Sequence, residues 1–134
     1  MHDKKHKGDI AVAKVISALT SNGWVVGVLL TEHSRYDLLV EKGGECARLQ
    51  VKHARLRDGA VCAGLVSAWN DKHGTHVRPR ADGDYDMLAM YCPDTDKVYL
   101  LPAEGIGTGS IQLRVEPAKN RQQHKVRRAE QYVI

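Results

Sequence analysis

Residues 34–57 read SRYDLLVEKGGECARLQVKHARLR, two runs rich in Leu and Val around a Gly43-Gly44 pair. Two glycines suit the centre of a two-residue hairpin turn, because such turns need positive φ there. That turn sets Lys42 opposite Glu45. Pairing then runs through Glu41–Cys46, Val40–Ala47, Leu39–Arg48 and Leu38–Leu49 to Asp37–Gln50. Side chains alternate faces along a strand. Tyr36, Leu38 and Val40 therefore share an apolar face with Ala47, Leu49 and Val51, which must be the core side. Asp37, Glu41, Arg48, Gln50 and Lys52 fall on the other face. Asp37 faces Gln50 with Cβ atoms about 5 Å apart, and Lys52 follows two residues on.

Most polar stripes of this kind are solvated strand surface. A second reading is a metal site. A carboxylate and an amide carbonyl are hard oxygen donors suited to Mg²⁺, with Mn²⁺ as a substitute. The Val51 backbone carbonyl is a further candidate ligand. The Lys52 ammonium could orient an attacking water or stabilise a phosphate that gathers negative charge in a transition state.

The surrounding chain bounds these readings. Its 134 residues suffice for one domain with a real core. Hydrophobic residues make up 43%, which excludes a disordered chain. No apolar run approaches the roughly 20 residues of a spanning helix. MHDKKHKGD at the start carries no apolar region behind its charges, so a cytoplasmic protein is expected. Cys46, Cys62 and Cys92 lack CxxC spacing and read as free thiols of a reducing compartment. The histidines show no HxH or HExxH spacing, so no zinc is assigned.

The net charge is +4 with histidines neutral, which favours a polyanionic partner. Basic residues gather in KHARLR (52–57), DKHGTHVRPR (71–80) and KNRQQHKVRR (119–128), segments that look irregular. Arg55, Arg57, Lys72, Arg78 and Arg80 in these segments are candidate nucleic-acid contacts, as are Lys7 and the residues that precede Asp37, namely His33, Ser34 and Arg35. Trp24 and Trp69 could stack on bases, although packing is the commoner role for tryptophan.

Apolar residues at 10, 13, 16 and 19 form one stripe at helical spacing, widened by Ala11, Val12 and Val15, with Gly23 as the stop. WVVGVLL (24–30) reads as a buried strand. VCAGLVSAW (61–69), DMLAMYC (86–92), KVYLLP (97–102) and IQLRVEP (111–117) read as further strands, with PDTD a turn and AEGIGTG a short helical turn. One helix followed mostly by strands is an α+β order.

An acid on one strand and Gln-x-Lys on the next, after an N-terminal helix, resembles the PD-(D/E)XK nuclease superfamily. KGDIAVAK, HSRYDLLVEKGG, LQVKHARLRDG, Asp84-Tyr85-Asp86, MYCPDTDKVYLLP and the terminal VRRAEQY look in particular like its group I intron-associated homing endonucleases. The resemblance implies a restriction-endonuclease-like core: an N-terminal helix on a mixed, mainly antiparallel β-sheet, with extra C-terminal strands and a basic tail. It implies residues 1–118 as the nuclease-like domain and 119–134 as a tail packing on or extending it. It implies a Mg²⁺-dependent DNA endonuclease acting as a homo-oligomer, dimer or tetramer, with no membrane and no small-molecule cofactor. Asp37 matches the metal-binding acid, Gln50 the unusual amide position and Lys52 the catalytic lysine. The family also carries a glutamate in the first helix, where this chain has Val12. Asp9, one helical turn earlier, and Glu41, on the polar face of the hairpin, are candidate substitutes. Two other readings stand beside an active homing enzyme: a catalytically weakened or inactive DNA-binding protein, and a structure-selective nuclease such as a junction resolvase.

Overall fold

The N-terminal helix forms where the apolar spacing places it. The computed structural model describes residues 4–31, 34–116 and 126–134, and the side chains of residues 4, 5 and 68–70 lie outside that description. Helix α1 spans Lys4–Ser21. It stops as expected at Gly23, whose φ is 86°. The Trp24 N–H donates to Leu19 O at 3.0 Å and the Gly23 N–H to Thr20 O at 3.1 Å, the paired bonds of a Schellman C-terminus. Its innermost line is Ala11, Val15 and Leu19, all fully buried. The apolar arc is therefore centred one position away from the expected stripe, and Ala13 is exposed.

Among the described residues ten strands follow: β1 Val25–Val28, β2 Leu38–Lys42, β3 Glu45–His53, β4 Arg55–Arg57, β5 Ala60–Gly64, β6 Ser67–Asp71, β7 Gly74–Arg78, β8 Met87–Cys92, β9 Lys97–Pro102 and β10 Ser110–Arg114. The main sheet has the order β1-β2-β3-β8-β9, and only β3–β8 is parallel within it. A second sheet has the order β10-β5-β4, and β6–β7 form a hairpin. The hairpin register read from Gly43-Gly44 holds from Lys42–Glu45 to Leu38–Leu49.

Three layers result. One core joins Ala11, Val15 and Leu19 of α1 to Leu38, Val40, Leu49, Val51, Ala89, Tyr91 and Val98 of the main sheet. A second core joins Leu88, Met90, Tyr99 and Leu101, on the opposite face, to Val61, Ala63, Ile111 and Leu113 of the second sheet. Strand β8 is buried on both faces, hence its unbroken apolar run. Residues 132–134 lie along β9, with Leu100 N–H donating to Tyr132 O at 2.9 Å and Ile134 N–H to Val98 O at 3.1 Å, while Arg127 and Arg128 lie beside β10, where Arg114 N–H donates to Arg127 O at 2.7 Å.

Four local expectations are corrected. The run 24–30 is an edge strand, with Val25 63% and Val28 71% exposed, because an apolar run alone does not say which neighbours cover it. The 71–80 segment is no irregular loop. Its first residue closes the β6–β7 turn, with His73 N–H donating to Asp71 Oδ1 at 2.7 Å. KHARLR is likewise extended, through the end of β3 and all of β4. AEGIGTG turns without forming a helix. Residues 119–125 of the basic tail and the Trp69 side chain lie outside the described residues.

The hairpin turn supplies a test. Gly43 and Gly44 have φ of 62° and 86°, with open space around each missing Cβ. A β-branched side chain there meets backbone strain alone. Gly44→Val is expected to lower unfolding stability by about 1–2 kcal/mol, seen as a lower urea midpoint at unchanged slope.

Candidate active site

The polar stripe does not face open solvent. Gln50 and Lys52 are parallel-register neighbours of Leu88 and Met90, so they lie on the face of the main sheet that the second sheet covers further along. Where that cover stops, a cleft of about 540 Å³ opens, lined by Asp37, Gln50 and Lys52. Ser34 and Arg35 lead into it, Leu65 and Ser67 form another wall, and Arg78, Arg80, Asp84 and Tyr85 close it.

Asp37 reaches this cleft by a route that differs from the expected one. The β2–β3 ladder ends at Leu38–Leu49. The Asp37 N–H donates to Leu49 O at 2.8 Å, and its carboxylate Oδ2 accepts the Val51 N–H at 2.8 Å. Asp37 is thus bent toward Val51, not paired with Gln50. Tyr36 leaves the strand alternation as well. It packs on the core between the two sheets, with Arg48 Cζ 5.9 Å from its ring centroid. The Asp37 carboxylate keeps one oxygen unbonded among the described residues, and the Gln50 amide and Lys52 ammonium make no hydrogen bond there. Burial raises the Asp37 carboxyl above its usual range, against the Val51 N–H and the Lys52 charge. Burial lowers the Lys52 ammonium, against the Asp37 charge.

The opposite wall is an ion cluster built on Asp84, only 7% exposed. Its Oδ1 accepts from Arg35 Nη1 at 3.0 Å and Arg78 Nη2 at 3.2 Å, and its Oδ2 accepts the Ala81 N–H at 2.9 Å. Burial alone would raise this carboxyl, but the Ala81 N–H and the two guanidiniums outweigh it and hold it at about 2. The loop carrying Asp84 is pinned to β3. Arg48 Nε and Nη2 donate to the two Asp86 oxygens at 3.2 and 3.0 Å, and Arg48 Nη1 to Gly83 O at 2.8 Å. The family resemblance includes Asp84 within the Asp84-Tyr85-Asp86 stretch and gives it no role. The signal for one is the close alternation of Arg and Asp through RPRADGDYD (78–86).

The other expected contacts divide. Ser34, Arg35 and Arg78 lie on the cleft. Arg80 lines it too but is a structural arginine, 8% exposed, with its Nη1 and Nη2 donating to Gly107 O and Ala103 O at 2.9 and 3.0 Å. Arg55 and Arg57 border a separate groove. Lys72 sits at the β6–β7 tip. Lys7, on α1, is close enough to His53 to help burial lower that imidazole. His33 lies outside the described residues. Trp24 packs on the helix–sheet core.

Neither candidate substitute for the helix glutamate reaches the cleft. Val12 is half-buried against the helix–sheet core. Asp9 is exposed, and Glu41 accepts the Gly44 N–H at 2.8 Å at the hairpin tip. The oxygens of the cleft lining that could serve a cation are the free oxygen of Asp37 and the Gln50 carbonyl, and the Val51 carbonyl lies beside them on the same strand edge as its N–H. This all-oxygen set fits Mg²⁺, which binds through one or two carboxylates and keeps several waters. Among the described residues no three His, Cys, Asp or Glu side chains cluster around a metal position.

The sequence pattern of the PD-(D/E)XK endonuclease family matches residues 2–134, and the chain belongs to that family. Its fold is that of a solved bacterial homing endonuclease, I-Ssp6803I. The two are 25% identical with a TM-score of 0.74, over 98% of this chain and 89% of the other. No curated protein matches the chain.

Asp84 gives a pH prediction. A carboxyl at about 2, against an unfolded value near 3.9, stabilises the fold above the unfolded value. That contribution is lost as pH falls through the folded one. Asp84→Asn is expected to cost about 1–2 kcal/mol at neutral pH, discounted for the exposure of Arg35. In acid titrations followed by circular dichroism, the gap to the parent protein should narrow between about pH 4 and pH 2.

Proposed function

We propose that this protein is a divalent-metal-dependent endodeoxyribonuclease of the homing-endonuclease type. Asp37, Gln50 and Lys52 carry the site. The observation behind this reading is their convergence on one open cleft, with the Gln50 and Lys52 heads unbonded among the described residues and two arginines fixed opposite. A DNA phosphodiester is the substrate that suits a cleft rimmed by Arg35, Arg78 and Lys52.

Asp37, Gln50 and the Val51 carbonyl would hold Mg²⁺ or Mn²⁺, which would supply Lewis-acid stabilisation of charge on the phosphate. Asp37 is oriented for this by the Val51 N–H. Lys52 stands beside it with its charged form disfavoured by burial, which suits a group that takes a proton from an attacking water or donates to the phosphate. Arg35 and Arg78, held by Asp84, place the DNA backbone. The domain acts as one unit over 1–118 with 119–134 completing it. It works as a homo-oligomer, and the exposed apolar residues Val25 and Leu39, on one face of the β1–β2 pair, mark a surface that a second copy would cover. Free Cys46, Cys62 and Cys92 suit a reducing cytoplasm. Among the described residues no helix is long and apolar enough to cross a membrane.

A second reading is favoured by one observation. Asp84 is neutralised by two arginines, so among the described residues Asp37 is the one cleft carboxylate left for a metal. A protein that binds DNA and cuts it weakly or not at all fits this.

Two outcomes separate the readings. With supercoiled plasmid and Mg²⁺ or Mn²⁺, the parent protein should nick, and Lys52→Ala should lose roughly 10²–10⁴-fold in rate. Equal nicking by both would assign the activity to a contaminant. Under the binding-protein reading the parent is silent, and Val12→Glu raises cleavage roughly tenfold or more. Parallel assays on fork and four-way junction DNA test the junction-resolvase reading, which predicts preferential cutting of the junction.

A further inference from the structure

Beside the cleft lies a groove of about 440 Å³ that includes His53, Arg55, Arg57, Cys62 and Gln112. Its geometry follows from register. Arg55 pairs with Cys62, which pairs on its other side with Gln112. Arg57 pairs with Ala60, and Gly64 with Ser110. Directly opposed residues share a face. The outer face of the second sheet thus carries Arg55 and Arg57 along one margin and Ser110 and Gln112 along the other. Between them runs a floor of small residues, Cys62 and Gly64, and Ala60 in the same row is buried. The inner face is the buried row Val61, Ala63, Ile111 and Leu113.

These outer side chains differ from the cleft arginines. Arg35, Arg78 and Arg80 all spend donors on protein acceptors. Arg55, Arg57 and Gln112 are exposed, and among the described residues none makes a side-chain hydrogen bond or ion pair. Charge on an edge strand such as β4 also discourages pairing with other chains. That purpose needs neither a small-residue floor nor an amide on the far margin.

We infer that this face enters the major groove of duplex DNA and reads base edges, giving the enzyme sequence selectivity. Arginine bonds guanine O6 and N7 in pairs, and glutamine does the same with adenine N6 and N7. The two margins lie two strand spacings apart, about 9.5 Å, within a major groove about 12 Å wide. The face also joins the cleft along the chain. Strand β3 passes from Lys52 into β4, so Arg55 and Arg57 lie up to about 10 and 16 Å beyond Lys52. At about 3.4 Å per base pair, the bases read lie roughly three to five pairs from the phosphate at Lys52. On the other wall, β5 leads from the groove to Leu65 and Ser67 of the cleft. The distance from the cut rests on the endonuclease reading, and the assignment of the face to duplex DNA does not.

The test is enrichment of a random-sequence duplex library on the full-length protein in EDTA, where nothing is cut, alongside Arg57→Ala, Gln112→Ala and, as a control at the exposed hairpin tip, Glu45→Ala. All three side chains are on the surface, and melting curves check that the variants fold. The parent and Glu45→Ala should enrich the same motif. Arg57→Ala and Gln112→Ala should each flatten different positions of it, by roughly five- to a hundredfold, and Gln112→Ala should leave the salt slope of binding unchanged. Two results overturn the inference: a parent that enriches no motif, and variants that keep the parent motif while binding uniformly more weakly. A motif that depends on Arg57 and Gln112 in a protein that never cuts plasmid DNA sinks the endonuclease reading and keeps this one. Cutting at a motif indifferent to both variants does the reverse.

Discussion

The bond from the Val51 N–H to the Asp37 carboxylate fixes the rest of the cleft. Strand β2 begins its ladder one residue too late to satisfy that N–H with a backbone carbonyl. A half-buried donor left unpaired costs about 1–3 kcal/mol. The aspartate supplies the missing acceptor, so one contact both ends the sheet correctly and orients the acid. It also turns the Val51 peptide edge toward the carboxylate. The positions of acid, carbonyl and, one residue on, ammonium are therefore set by the main chain of a central strand. Sites built on strands hold their geometry better than sites built on loops.

That arrangement has an electrostatic consequence. Burial raises Asp37 and lowers Lys52, while each partner's charge pulls the other back toward ionisation. Both groups are shifted toward their neutral forms in a cleft that still admits solvent. Opposed pressures of this kind gather at functional sites. The ion cluster across the cleft shows the contrary design. Asp84 is held at about 2 by a backbone donor and two guanidiniums, so it stays charged under all ordinary conditions and serves as an anchor for Arg35 and Arg78.

The Gly43-Gly44 pair made the hairpin legible, and with it the side of β3 that Gln50 and Lys52 occupy, because register and alternation are local rules. Tyr36 was misplaced because alternation fails where Asp37 bends, and that bend depends on a hydrogen bond fourteen residues away. The β6–β7 hairpin was illegible for a different reason. Its strands carry no apolar period, so nothing distinguishes them from a charged loop until pairing is seen. Val25 and Val28 misled in the opposite sense, since an apolar run does not reveal that it lies at an edge. Asp84 lay hidden because its partners, Arg35 and Arg78, come from the far side of the hairpin and from β7. The overall α+β order survived these local errors because it rests on one strong helix and on the doubly buried run of β8.

The valine at position 12 acquires a physical meaning from the cleft's charge. Among the described lining residues Arg35, Lys52, Arg78 and Arg80 oppose Asp37 and Asp84, an excess of positive charge. A phosphodiester is attracted to such a surface, whereas a free dication is repelled. A helix glutamate would shift that balance by adding negative charge to the neighbourhood. Without one, favourable metal affinity has to come from the substrate's own phosphate oxygens, which would make cation and DNA bind cooperatively on the endonuclease reading. The substitution thus bears on how tightly the site is loaded. It leaves the positions of Asp37, Gln50 and Lys52 untouched, because those are set on β3 and at the start of β2, on the other side of the sheet from the half-buried packing of Val12.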